Sequence, residues 1–165
     1  MLRDREHAYA TIVTWSGPAA GSTMTYAAYS RAHTIAFGGK DVVLHGSADA
    51  AFRGDAAAPN PEELFVASLC ACHLLAYLAL CARSGIELLS YVDRAEGVMS
   101  ERGGAGRFVS VTLRPDVTIA REQARVTAIA LHDRAHAECF IANSVNFPVR
   151  HEPTVRVSAS DDARP

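Results

Sequence analysis

Residues 60–83 read NPEELFVASLCACHLLAYLALCAR, and the fold turns on them. Asn60 is a favourable N-cap, Pro61 suits the first helical position, where no N–H is needed, and Glu62 and Glu63 face the positive end of a helix. The spacing predicts a helix from Pro61 to about Arg83, stopped by Gly85. Between Leu64 and Ala82 only Ser68 and His73 interrupt the apolar run. Length alone permits a membrane span, but the many alanines, the central histidine and three cysteines favour a central helix buried on all sides.

Outward from this helix the chain reads as sheet on both sides. Tyr9 to Trp15 alternates with period two and predicts a strand. Gly17 to Gly21 reads as a turn. Ser30 to Phe37 and Val42 to His45 form a hairpin about Gly38-Gly39, both glycines being expected to supply positive φ. Ser47 to Asn60 reads as a loop. Beyond the helix, Ile86 to Met99 and Phe108 to Ile119 are strands joined by the turn Gly103 to Gly106, with Pro115 marking an edge or a bend. A second helix from about Arg121 to Glu138, with Val126 and Ile129 inward, delivers Cys139 at its end. Thr154 to Ser158 is a last strand, and Ala159 to Pro165 a frayed tail. Strands, long helix, strands, helix: this order predicts an α+β fold, not a parallel βαβ sheet. The expected organisation is one domain, 1–165, large enough to bury about two-thirds of its unfolded surface.

The formal net charge is -2 and Lys40 is the sole lysine. No clustered basic excess points to nucleic acid or an anionic membrane. Gly103-Gly104-Ala105-Gly106 lacks the strand-to-helix context of a nucleotide loop. Charged residues in Met1 to His7 are followed by no apolar core of a secretory signal, so the expected location is the cytoplasm. There four cysteines are too few for a disulfide scaffold and read as buried, metal-binding or catalytic.

Cys70 and Cys81 share a helix face, while Cys72 points roughly opposite. Any of them could be a small inert hydrophobe. A redox role needs two cysteines distant in sequence, because a sulfenic acid must be captured before further oxidation, and Cys72 and Cys139 meet that demand. A thiolate in the third turn gains little from the helix dipole, so a cation must stabilise it. The competing arrangement is a zinc site: His132, His136 and Cys139 stand at i, i+4 and i+7, with Cys72 and His73 as further donors.

The stretch Asn60-Pro61-Glu62-Glu63-Leu64, with Cys72 twelve positions after the asparagine, resembles the OsmC/Ohr family of organic hydroperoxide reductases. Ala135-His136-Ala137-Glu138-Cys139 is similar to the stretch that presents that family's resolving cysteine. The resemblance runs from about Tyr9 to Val157. It implies antiparallel sheets around a long buried central helix in an intertwined homodimer. It also implies a peroxidatic Cys72, a resolving Cys139, and Glu62 holding an activating arginine. Arg53 fits that arginine's place in the OsmC branch, offset by about one position, with Arg31 in reserve. Glu62 and Cys72 are separated by about 15 Å of helical rise, so one arginine can hardly bridge both within a chain, and a second subunit would solve this. The implied substrate is an organic hydroperoxide, the reductant a dithiol such as a lipoyl group or small redox protein, and no cofactor or metal is required. The chain departs from the family in Phe140, where many members have proline, and in Cys70 and His73. A noncatalytic ligand-binding module on the same fold is a third reading.

Overall fold

The computed structural model describes residues 5–15, 17 and 23–159. The Gly17–Gly21 turn and the 159–165 tail lie largely outside the described residues. The chain divides into two compact units, 1–64 and 65–165.

The first unit is a three-stranded antiparallel sheet, β1 (Thr11–Trp15), β2 (His33–Phe37) and β3 (Val43–Gly46), in that order. Only Gly39 of the glycine pair has positive φ, at 72°. Gly38 is needed for a different reason: its N–H donates to the Ala10 carbonyl, and a Cβ there would meet that oxygen at 3.3 Å. The segment expected as a plain loop holds a 3-10 turn, Ala50–Phe52, capped by the Asp49 side chain, which accepts from Ala51 N–H at 2.7 Å. Gly54 passes so close to Ala48 that a Cβ would lie 1.6 Å from its carbonyl oxygen. Asn60 closes this loop and opens α1 (Pro61–Arg83) through a capping box. Its Oδ1 accepts from Glu63 N–H at 2.8 Å, and Glu63 Oε2 accepts from Asn60 N–H at 3.0 Å.

In the second unit, each predicted long strand is two strands. β4 (Leu88–Asp93) and β5 (Glu96–Arg102) come from the first, β6 (Ala105–Leu113) and β7 (Pro115–Ile119) from the second. Each break lets the chain switch sheets: β4-β7-β9 form one and β5-β6-β8 the other, with β8 at Val149–His151 and β9 at Thr154–Val157. Pro115 marks the bend and not an edge, because β7 is the central strand of its sheet and proline is tolerated as a strand's first residue. β4 with β7 and β5 with β6 are antiparallel, whereas β6 with β8 and β7 with β9 are parallel.

The second helix begins as a 3-10 turn, Glu122–Ala124, and continues as α2 (Arg125–Glu138). Its inward face is Ala128, Leu131, His132 and Ala135, so the expectation for Val126 and Ile129 is corrected: they are 80% and 45% exposed. Small alanines let α2 approach closely, and the branched residues fall on the far side of the turn.

On α1 the buried stripe Leu69, His73, Tyr77, Leu80 and Cys81 recurs every three or four residues, the mark of one helix face against a core. Its C-terminal half packs with Val117, Ile119, Leu131 and Val155, and Leu69 packs with Val111, Leu113 and the rings of Phe65, Phe108 and Phe147. Tyr77 is wholly buried and donates its hydroxyl hydrogen to the Ala128 carbonyl at 3.1 Å, joining α1 to α2. Among the described residues nothing covers the other face of α1, so the expectation of a helix buried on all sides is corrected: Leu75 is 65% and Leu78 38% exposed.

Candidate active site

Cys139 follows the last residue of α2 and leaves the helix, with φ -75° and ψ 108°. Asn143 pins this exit: its N–H donates to the Cys139 carbonyl at 3.0 Å and its side-chain amide to the Ala137 carbonyl at 2.9 Å. The Cys139 side chain turns back into the protein and is 1% exposed. There it faces Cys72, from the fourth turn of α1, close enough for the two thiols to interact. Burial pushes the Cys139 thiol up to about 11, and the contact with Cys72 adds to the rise. The Ala142 N–H, 3.4 Å from Cys139 Sγ, pulls the other way. Cys139 therefore keeps its proton at neutral pH.

Cys72 is half-buried and lines a cavity of about 460 Å3 with Leu75, Ala79, Arg83, Glu138 and Phe140. The pair is thus asymmetric, one sulfur sealed and one open to a small, mainly apolar chamber. Arg83 was not singled out in the sequence. It lies on the cavity wall eleven residues after Cys72, three turns along α1, which is about 16 Å of rise.

The remaining thiols are held as weak nucleophiles. Burial raises Cys70 to about 11, with the neighbouring Asp93 carboxylate adding to the rise, and burial raises Cys81. All four cysteines are free.

Glu62 sits in the first turn of α1. Arg53 is exposed in the loop before it, in the left-handed conformation at φ 63° that ends the 3-10 turn. Arg31 is otherwise engaged. Its guanidinium donates to the carbonyls of Tyr29 and Tyr26 and lies over both their rings, 4.0 and 4.6 Å from the centroids.

The His132–His136 pair does not extend to Cys139 as one helical face, because Cys139 has left the helix. Instead His73 Nε2 and His132 Nδ1 are 3.0 Å apart, and His151 completes a group of imidazoles with His136. Sequence reading passed over His151 because β8, three residues after a proline, is too short for periodicity to reveal.

Comparison with known proteins agrees with this architecture. The family model for OsmC-like proteins matches residues 52–154. An OsmC-like protein of unknown function from Vibrio cholerae, VCA0330, is 33% identical and superposes with a TM-score of 0.81, covering 90% of this chain and all of its own. At 19% identity, the organic hydroperoxide resistance protein OsmC from Legionella pneumophila has a TM-score of 0.67 over 93% of this chain and all of that one. The organic hydroperoxide resistance protein OhrB of Bacillus subtilis, also 19% identical, has a TM-score of 0.62 over 90% and 98%. A capped long helix carrying Cys72, a second helix ending at Cys139, the matched family region and the Vibrio relative lead to one conclusion: the chain belongs to the OsmC/Ohr family.

Proposed function

We propose that the protein is a cysteine-based hydroperoxide reductase acting on organic hydroperoxides, and on hydrogen peroxide if it enters the same chamber. The observation that carries this reading is the asymmetric thiol pair: Cys72 opens to the cavity and Cys139 is sealed behind it, near enough to interact with it.

In the proposed reaction the Cys72 thiolate attacks the distal peroxide oxygen. An S–O bond forms as the O–O bond breaks, and the alkoxide leaves as an alcohol after taking up a proton. The Cys139 sulfur then attacks the Cys72 sulfenic acid, forming the S–S bond and releasing water. A dithiol, a lipoyl group or a small redox protein, reduces this disulfide by exchange and is itself oxidised. Leu75 and Phe140 on the cavity wall favour an organic substituent on the peroxide.

The activating guanidinium is assigned to Arg53, held by Glu62. Its exposed position, against Arg31's engagement with two tyrosines, supports that choice. The exposed Leu75, Leu78 and Phe140 support a homodimer in which a second subunit covers α1. In this reading the whole chain, 1–165, acts as one domain in the cytoplasm, with no nucleic-acid partner.

The test is hydroperoxide consumption by the purified protein with a dihydrolipoyl donor. Turnover lost in Cys72→Ser supports the reading. Turnover that survives the change, or none in the folded wild type, rejects it in favour of a ligand-binding module.

A further inference from the structure

One side of α1 carries a continuous stripe from Cys72 to Arg83. Cys72, Ala76, Ala79 and Arg83 follow one another at spacings of four, three and four residues, so they lie along one helix face. All four line the cavity described above. The two alanines keep its floor low between the ends, and Leu75 and Phe140 make its sides apolar. A thiol therefore stands at one end of an apolar trough and a guanidinium at the other, about 16 Å of helical rise away.

Arg83 has no structural task that explains it there. A basic side chain in the last turn of a helix commonly bonds the final carbonyls, but here the backbone does so. Ser84 N–H donates to the Leu80 carbonyl at 3.0 Å, Gly85 N–H to that of Ala82 at 3.2 Å and Ile86 N–H to that of Cys81 at 2.9 Å. Among the described residues the only carboxylate on the cavity lining is Glu138, and Arg134, one turn before it, engages it at 3.2 Å. The Arg83 side chain itself has neither an ion pair nor a hydrogen bond among the described residues. A fixed positive charge thus closes an apolar trough and lacks an anion from the protein.

We propose that Arg83 is a specificity-determining residue: it binds the carboxylate of a hydroperoxide whose aliphatic chain lies along the trough, and so selects acidic hydroperoxides over neutral ones. This rests on the peroxidase reading and narrows its substrate class. A guanidinium presents a planar fork of N–H donors that takes both oxygens of a carboxylate, and it stays charged at every working pH. The chain buries its apolar surface against Ala76, Ala79, Leu75 and Phe140, the carboxylate fixes which way round it lies, and the peroxide end is left at Cys72. A compact neutral peroxide fills only the Cys72 end and gives Arg83 no partner. Because Arg83 is exposed, water screens the ion pair, and the expected discrimination is about five- to tenfold. A contact so far from the reacting atoms holds substrate and transition state alike, so it acts through KM and not through kcat.

The experiment compares a long-chain aliphatic hydroperoxide ending in a carboxylate with its methyl ester, which differ in that charge, as substrates of the full-length protein with a dihydrolipoyl donor. Both are kept below the concentration at which they form micelles. For the wild type kcat/KM should be about five- to tenfold higher for the acid, through a lower KM, and the preference should shrink as salt is added. Arg83→Gln should bring the acid-to-ester ratio to about one, Arg83→Lys should keep part of the preference, and Arg83→Glu should reverse it. Circular dichroism checks that each variant is folded, and the salt dependence of the wild type needs no variant. Turnover of neither compound rejects the peroxidase reading and this proposal with it. Turnover with equal kcat/KM for acid and ester, or a preference for the acid that persists in folded Arg83→Gln, overturns the role of Arg83 and leaves the peroxidase reading standing.

Discussion

The Cys139 thiol, 1% exposed, interacts with that of Cys72, which faces a cavity. Two sulfurs, one on α1 and one just past the end of α2, thus face each other, and they differ in solvent access and in what surrounds them.

In the proposed reaction that asymmetry divides the labour between them. Cys72→Ser should lower hydroperoxide turnover by about a hundredfold or more, since no other thiol faces the chamber. Cys139→Ser should leave the first oxidation intact and stop the cycle at a sulfenic acid, trapped by a dimedone-type reagent and identified by mass spectrometry. A maleimide at neutral pH should label Cys72 first, because Cys70, Cys81 and Cys139 are all held as protonated thiols. Faster labelling of Cys139 would contradict the assignment.

Gly54 has no room for a side chain. Gly54→Ala would put a methyl group 1.6 Å from the Ala48 carbonyl oxygen, so backbone must move and the loop that ends at Asn60 is displaced. The expected cost is about 2 kcal/mol or more in urea denaturation. Asn60→Ala should cost about 1 kcal/mol by removing the cap. A Gly54→Ala protein as stable as wild type would refute this loop geometry.

Acid should unfold the protein through its buried histidines. His73 and His132 have folded-state values of about 4 and about 3, below their ordinary value, because burial and neighbouring imidazoles oppose the charged form, those of His151 and His136 at His73 and those of His73 and His151 at His132, where Asp133 partly offsets them. The unfolded chain binds more protons, so this stability is complete above about pH 6.5 and is lost as pH falls towards 4. Urea midpoints at about pH 7 and about pH 5 should differ, and His132→Gln should narrow the difference. Equal sensitivity in wild type and variant would count against these histidines as its source.

The exposed side of α1 yields a test of assembly. Leu75→Glu puts a charge on an apolar face and should shift a dimer to monomer in sedimentation velocity, leaving the helical circular dichroism intact. A wild-type protein that sediments as a monomer would remove the dimer from the proposed function.

Much of this molecule is decided locally and could be read from the chain. The helix from Pro61 to Arg83 is written in its cap, its first-turn carboxylates and the positive φ of Gly85, all interactions within a few residues. The position of Cys139 at the end of α2 follows from the same local rules. Where packing decides, reading failed. Val126 and Ile129 looked inward by hydrophobicity, but the alanine face of α2 lies against the core because close approach of two helices favours small residues. The breaks at Arg94-Ala95 and Arg114 depend on which sheet each strand joins.

The sequence by itself determined the two helices and the strand-rich remainder, because caps, turns and apolar periodicity act over short distances. Only the tertiary structure decided that Cys72 and Cys139 face each other and that Cys139 is the sealed partner. It alone brought His151, from a three-residue strand, to His73, His132 and His136. Such contacts join residues far apart along the chain, and their energy comes from burial and from the loss or gain of hydrogen-bond partners, quantities that exist only once the elements have packed.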